Sequence, residues 1–187
     1  MKVKIRKYLK HQLSVLSDKE VLEKSAKIQL KLLKYSDAYK NKNCLIYKSS
    51  KNEVLIDEIE KNLILNGNNV FLPKIMDGNN LCFNKLVVHK NLILNKFNIL
   101  ESPAAELIEV CSLDLIILPL IGTDKNGFRL GHGGGYYDRG LKDIFNLFDK
   151  PLIIGLGYDF QYTDEDFGKS HDIKLDLMIT DKRIINF

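Results

Sequence analysis

The chain has 187 residues, 45% of them hydrophobic, with 28 basic and 24 acidic side chains and a net charge of +4. That length suits one α/β domain, able to bury a core without disulfide or metal staples. The basic excess is too mild for a dedicated nucleic-acid binder, and no apolar run approaches the roughly 18 residues of a membrane span.

The N-terminal Met-Lys-Val-Lys-Ile-Arg-Lys is followed by no apolar stretch, which argues against a signal peptide and for a cytoplasmic protein. Ile5, Leu9, Leu13 and Leu16 mark one helical stripe. Ser17-Asp18-Lys19-Glu20 is a capping box that predicts a second helix, with Val21, Ala26, Leu30 and Leu33 facing inward. Cys44 to Tyr47 reads as a strand, Val54 to Leu65 as a helix with Leu55, Ile59 and Leu63 inward, and 66–69 as its stop. Val70 to Pro73 and Leu81 to Val88 read as strands joined by a turn at 77–80, and Asn91 to Leu107 as irregular. Leu113 to Leu118 is apolar throughout, as in a parallel strand covered on both faces. Tyr136 to Phe148 suggests a helix, and 152–156 and 177–180 two more strands. The alternation predicts an α/β fold: a single-domain, three-layer sandwich over 1–187, with a mostly parallel Rossmann-like sheet and a helical N-terminal segment over about residues 1–40. The three cysteines stand singly among apolar neighbours and read as small buried hydrophobes in a reducing compartment.

Five of the twelve glycines (Gly127, Gly131, Gly133, Gly134 and Gly135) crowd into one loop, at a cost in backbone entropy that needs a reason. A phosphate cradled by bare amides ahead of a helix is one reason; glycines packed against strands are the other. The loop contains no Gly-Lys-Ser/Thr, so it is not a Walker motif, and a G-x-G-x-x-G frame from Gly131 ends on Tyr136. It begins where a parallel strand should end, the usual place for a ligand in such sheets.

Gly-Phe-Arg-Leu-Gly-His-Gly-Gly-Gly-Tyr-Tyr-Asp-Arg, from Gly127 to Arg139, resembles the signature of the 5-formyltetrahydrofolate cyclo-ligase family. Lys2-x-x-Ile5-Arg6, Leu72-Pro73-Lys74, the strand from Asp114 to Pro119 and Lys174-Leu175-Asp176 extend the resemblance along nearly the whole chain. It implies an ATP- and Mg²⁺-dependent enzyme that converts 5-formyltetrahydrofolate, with or without a polyglutamate tail, to 5,10-methenyltetrahydrofolate, releasing ADP and phosphate. By that resemblance Arg129 and Tyr136 are catalytic. Lys2, Arg6 and the run Arg129, Leu130, Gly131, His132, Gly133, Gly134, Gly135, Tyr136 and Tyr137 bind ATP. Tyr47, Lys48, Glu53 and Tyr136 line the folate site, and Asp138 and Asp176 hold the metal.

Each residue also has a plainer reading. Arg129 could brace the loop through a salt bridge, Glu53 and Asp138 could be acids at helix starts, and Asp176 an exposed strand-start residue. His132, at a variable place in the motif, could bond a phosphate or stand exposed. Thr123 departs from the usual apolar residue, and Gly134 replaces a lysine of some relatives, leaving more phosphate contact to Arg129, Lys2 and Arg6. A monomeric enzyme with no nucleic-acid or membrane partner is expected. The alternative is a non-catalytic folate- or nucleotide-binding regulator on the same fold. A third reading, RNA binding by the lysine-rich first helices, lacks any RNP-type aromatic motif.

Overall fold

The computed structural model describes residues 1–36, 39–76, 80–87, 91–95 and 99–187. Two helices lead: α1 (Lys2–Ser14) and α2 (Asp18–Ser36). The capping box forms, with the Glu20 amide donating to Ser17 Oγ at 3.3 Å and the Ser17 amide to Glu20 Oε2 at 3.0 Å. From α1, Leu9 and Leu13 are buried, as the stripe requires.

The inward face of α2 differs from the expected one. Val21 is buried, but Leu30 is exposed, and the positions turned inward are Ser25, Ile28, Gln29 and Leu32. Two of these are polar, so a search for apolar residues selects the wrong face. They are tolerated because they meet unsatisfied backbone: Ser25 Oγ accepts from the Leu55 amide at 3.0 Å, and Gln29 Oε1 from the Glu58 amide at 3.0 Å. The second bond caps α3 (Asp57–Leu65), which starts three residues later than periodicity suggests. The chain leaves α3 through Gly67 at φ +76°, a left-handed position that suits glycine.

The main sheet has seven strands. A parallel centre in the order β10 (Leu177–Ile179), β9 (Leu152–Leu156), β6 (Leu115–Pro119), β1 (Asn43–Leu45), β2 (Asn69–Ile75) is flanked by antiparallel edges, β11 (Ile184–Asn186) beside β10 and β3 (Leu81–Lys85) beside β2. All five residues of β6 are buried, as its uniform apolarity demands. Cys44, Ile117 and Ile154 pack towards α1–α3, whereas Leu45, Ile116 and Ile153 pack towards Leu141 and Ile144 on the opposite face. Three layers result, as expected of a doubly covered sheet.

Other expectations need correction. The segment after the glycine loop is α4 (Tyr136–Gly140) followed by a 3-10 turn (Lys142–Asn146), where one long helix was expected. A Cβ at Gly140 would come within 2.8 Å of Leu81 Cβ, so the chain runs tight against β3 there. The region expected to be irregular contains a small hairpin, β4 (Ile93–Leu94) with β5 (Leu100–Glu101). A second, β7 (Gly122–Thr123) with β8 (Arg129–Leu130), introduces the glycine loop. Only Cys44 is buried; Cys82 is half-buried, Cys111 is exposed, and all three are free. Residues 77–79 of the expected turn and Val88 of the expected strand lie outside the described residues. Among the described residues no helix is long and apolar enough to cross a membrane.

Candidate active site

The strand order reverses between β1 and β6: from β1 the chain goes outward to β2, then returns to the other side of β1 for β6. Loops leaving the carboxyl ends of those two strands diverge and open a crevice. A cavity of about 530 Å³ lies there. Tyr47, Lys48, Ser50 and Glu53 reach it after β1, Pro119 ends β6 beside it, and the run from Arg129 to Asp138 forms one wall. Lys2 and Arg6 of α1, Ile75 and Leu81 of the β2–β3 pair, and Glu101 of β5 close the remaining sides.

Within the glycine loop, Gly133 (φ +113°) and Gly135 (φ +64°) hold conformations that side chains resist. A Cβ at Gly134 would strike the Tyr136 ring at 2.7 Å, so the lysine of some relatives would require that ring to move in this chain. The helix that follows has five residues, so an anion held here would rest on loop amides and cations more than on a helix dipole. The loop is clamped from α1: Arg6 Nε donates to Gly131 O at 2.8 Å, and Lys10 Nζ reaches His132 O at 3.5 Å. Lys2 and Arg6, one turn apart, share the cavity face as expected, and exposed Lys4 does not line it.

Arg129 is 6% exposed. Its Nε donates to Pro119 O at 2.7 Å and its guanidinium lies 4.8 Å from the centre of the Tyr137 ring. Burial pulls its pKa down, and the surrounding Tyr137, Asp138 and Glu53 act in the other direction. A guanidinium stays charged in proteins, so this is a desolvated cation. Among the described residues it forms no salt bridge, so any brace it gives the loop runs through Pro119 O and the Tyr137 ring. A dry cation with room for an anion beside it is an electrostatic clamp.

Glu53 supplies the opposite charge. Its Oε2 accepts from the Ser50 amide at 2.8 Å, and its Oε1 lies 3.4 Å from His132 Nε2. Burial opposes its ionisation, yet the His132 and Ser50 contacts outweigh that and hold its pKa below the ordinary 4.5. A carboxyl depressed on folding contributes stability above its unfolded value, which is lost as the pH falls through the folded value. The melting temperature is therefore expected to drop on acidification below about pH 4.5, and Glu53→Gln to flatten part of that drop. A variant whose acid limb superimposes on wild type in a thermal melt series would remove Glu53 from the account.

Tyr47 lines the cavity but its hydroxyl is committed to Val54 O at 2.8 Å, and Lys48 is paired with Glu60 of α3. Both serve as wall. Tyr136 faces the cavity and lies 5.4 Å from the Arg139 guanidinium across its ring.

The expected metal pair does not assemble. Asp138 lines the cavity, its Oδ1 accepting from the Ile173 amide at 3.2 Å, but Asp176 is exposed at the far edge of the sheet. There Asp176 Oδ2 accepts from the Ile153 amide at 2.7 Å. β10 runs parallel to β9 and β6, so a residue just before it must sit at the amino end, opposite the cavity. Asp172, four residues earlier, is in the cavity instead, with Oδ2 2.5 Å from Lys2 Nζ. The link is non-local: the Arg129 amide donates to Ile173 O at 2.9 Å, laying 172–174 against the β8 end of the glycine loop. No local pattern signals that contact. Glu101 was also missed, in a segment with weak patterning; it is buried and accepts from the Ile75 amide and Asn95 Nδ2.

The family model described as the 5-formyltetrahydrofolate cyclo-ligase family matches residues 1–181. The chain belongs to that family. The cyclo-ligase of Mus musculus is 30% identical over 181 residues, covering 92% of this chain and 89% of the mouse protein. The solved 5,10-methenyltetrahydrofolate synthetase of Aquifex aeolicus superposes with a TM-score of 0.80 at 28% identity, over 99% of this chain and 92% of that one. That of Mycoplasma pneumoniae gives 0.78 at 28%, over 96% and 98%. Within this cyclo-ligase fold, the signature run from Gly127 to Arg139 supplies the hairpin turn, the buried cation and the loop amides of one wall.

Proposed function

We propose that the chain is an ATP-dependent cyclo-ligase that converts 5-formyltetrahydrofolate to 5,10-methenyltetrahydrofolate. The observation that carries this is the presence in one cavity of a desolvated cation, Arg129, under a glycine loop and a half-buried carboxylate, Glu53. The cation suits a polyanion, and the carboxylate suits a ring edge rich in N–H donors.

A formamide carbon is a poor electrophile because its nitrogen lone pair is delocalised onto oxygen. Transfer of the γ-phosphoryl group to the formyl oxygen releases ADP and leaves an iminium-like carbon bearing a phosphate leaving group. N10 attacks that carbon, its proton is lost, and phosphate departs with the original formyl oxygen. The protein's share is positioning and charge neutralisation. Lys2, Arg6 and the amides from Leu130 to Tyr137 hold the polyphosphate. Arg129 offsets charge on the moving phosphoryl, and Tyr136, in the same cavity, offers a stacking surface to the reacting ring. Glu53 accepts from the pterin N–H groups.

Magnesium ordinarily takes one or two carboxylates and completes its shell with phosphate oxygens and water. Asp138 and Asp172 fit that demand, since Asp138 is bonded to the amide adjacent to Asp172 and both line the cavity. Bound there, the ion would neutralise phosphate charge. Lys2, which holds Asp172 here, then has a phosphate as an alternative partner. A reducing cytoplasmic setting suits the free cysteines. No nucleic-acid or membrane partner is proposed.

Purified protein with MgATP and 5-formyltetrahydrofolate should develop methenyl absorbance with one ADP released per turnover. In Glu53→Gln, folate binding should weaken roughly 10- to 100-fold, from the 1.5–3 kcal/mol typical of bonds to a charged acceptor, with nucleotide affinity nearly unchanged. Folate binding without ADP release would favour the regulator instead.

A further inference from the structure

We propose that His132 is a positioning residue that couples the glycine loop to Glu53, so that nucleotide and folate bind with positive cooperativity. This rests on the assignment made above of the phosphates to the loop and of the folate to Glu53. The imidazole Nε2 lies 3.4 Å from Glu53 Oε1, and the ring projects from the loop assigned to the phosphates. Its flanks are Gly131 and Gly133, so its aim depends on how the loop backbone is held. A contact at 3.4 Å lies beyond the usual hydrogen-bond length, and a small loop movement tightens or breaks it.

The loop itself is held from α1 by Arg6 and Lys10. A polyphosphate on the loop fixes the backbone that aims the imidazole and so holds the His132–Glu53 contact closed. Glu53 then stays ionised and oriented while folate strips water from it. Ser50 and His132 occupy part of its acceptor capacity, and the rest is left for the ligand.

The test is calorimetric titration of 5-formyltetrahydrofolate with and without Mg²⁺ and a non-hydrolysable ATP analogue. Wild type should bind folate about five-fold tighter with the analogue present, the lower end of ordinary coupling. His132→Ala, which should still melt cooperatively, should bring that ratio to one. His132→Gln retains a neutral donor and should recover part of the ratio. A full wild-type ratio in His132→Ala, or a ratio of one in wild type, overturns the coupling while leaving the cyclo-ligase assignment intact. Wild type that binds neither ligand overturns both.

Discussion

Arg129→Ala is expected to lower turnover about 10²–10³-fold while folate affinity stays within about two-fold, because removing one preorganised electrostatic donor costs roughly 2.7–4 kcal/mol at the transition state. Arg129 has already been stripped of water, at 6% exposure, and its Nε is anchored to Pro119 O. The remaining nitrogens therefore point where the loop directs them, with no reorganisation left for the moment of transfer. A lysine there cannot reproduce the fork, which anchors through one nitrogen and presents the others to phosphate. Arg129→Lys should consequently recover only a minor part of the rate. Steady-state assays of ADP release, paired with equilibrium folate binding, separate the two effects. A rate within about three-fold of wild type, or an equal loss of folate affinity, would mean that Arg129 serves the loop's structure.

Asp124→Ala should give the largest loss of stability, about 3 kcal/mol or more. Asp124 is fully buried, and its carboxylate accepts from four amides: Asn126 at 3.0 Å and Phe128 at 2.9 Å through Oδ1, Phe167 at 3.2 Å and Gly168 at 2.8 Å through Oδ2. The first pair shapes the β7–β8 turn and the second staples that turn to a segment about 40 residues later. Alanine leaves buried donors unpaired, each at a cost of about 1–3 kcal/mol. For a chain of this size the melting temperature should fall by roughly 6–12 °C. Asp124→Asn replaces one carboxylate oxygen with an NH₂ that would face two N–H groups, so little recovery is expected from it. Because Arg129 leaves the same hairpin, activity should decline before the protein melts. A loss below about 1 kcal/mol in denaturant titration would mean that water replaces the carboxylate.

Much of this molecule is legible along the chain where one local force dominates. The capping box over 17–20 starts α2 because two side chains and two amides within one turn satisfy each other. The β6 run is apolar on every residue because both faces are covered, and Lys2 and Arg6 share a face because a helix turns every 3.6 residues. The glycine loop announces itself by residues that resist any other explanation than backbone geometry or a ligand.

What stays hidden depends on partners distant in sequence. Ser25 and Gln29 face inward on α2 because the chain entering α3 brings bare amides to them, not through any periodicity of their own. Asp172 enters the cavity, and Asp176 leaves it, because strand direction assigns them to opposite edges of one sheet. His132 meets Glu53 only after the loops beyond β1 and β8 converge at the switch in strand order. The resemblance carried by the run from Gly127 to Arg139 identified the family, and spacing identified the order of most elements and the glycine-rich loop, since each is encoded by neighbours a few residues apart. Which carboxylates face the cavity, and which histidine touches one of them, was decided by tertiary structure, because a side chain's surroundings are set by the segments folded against it.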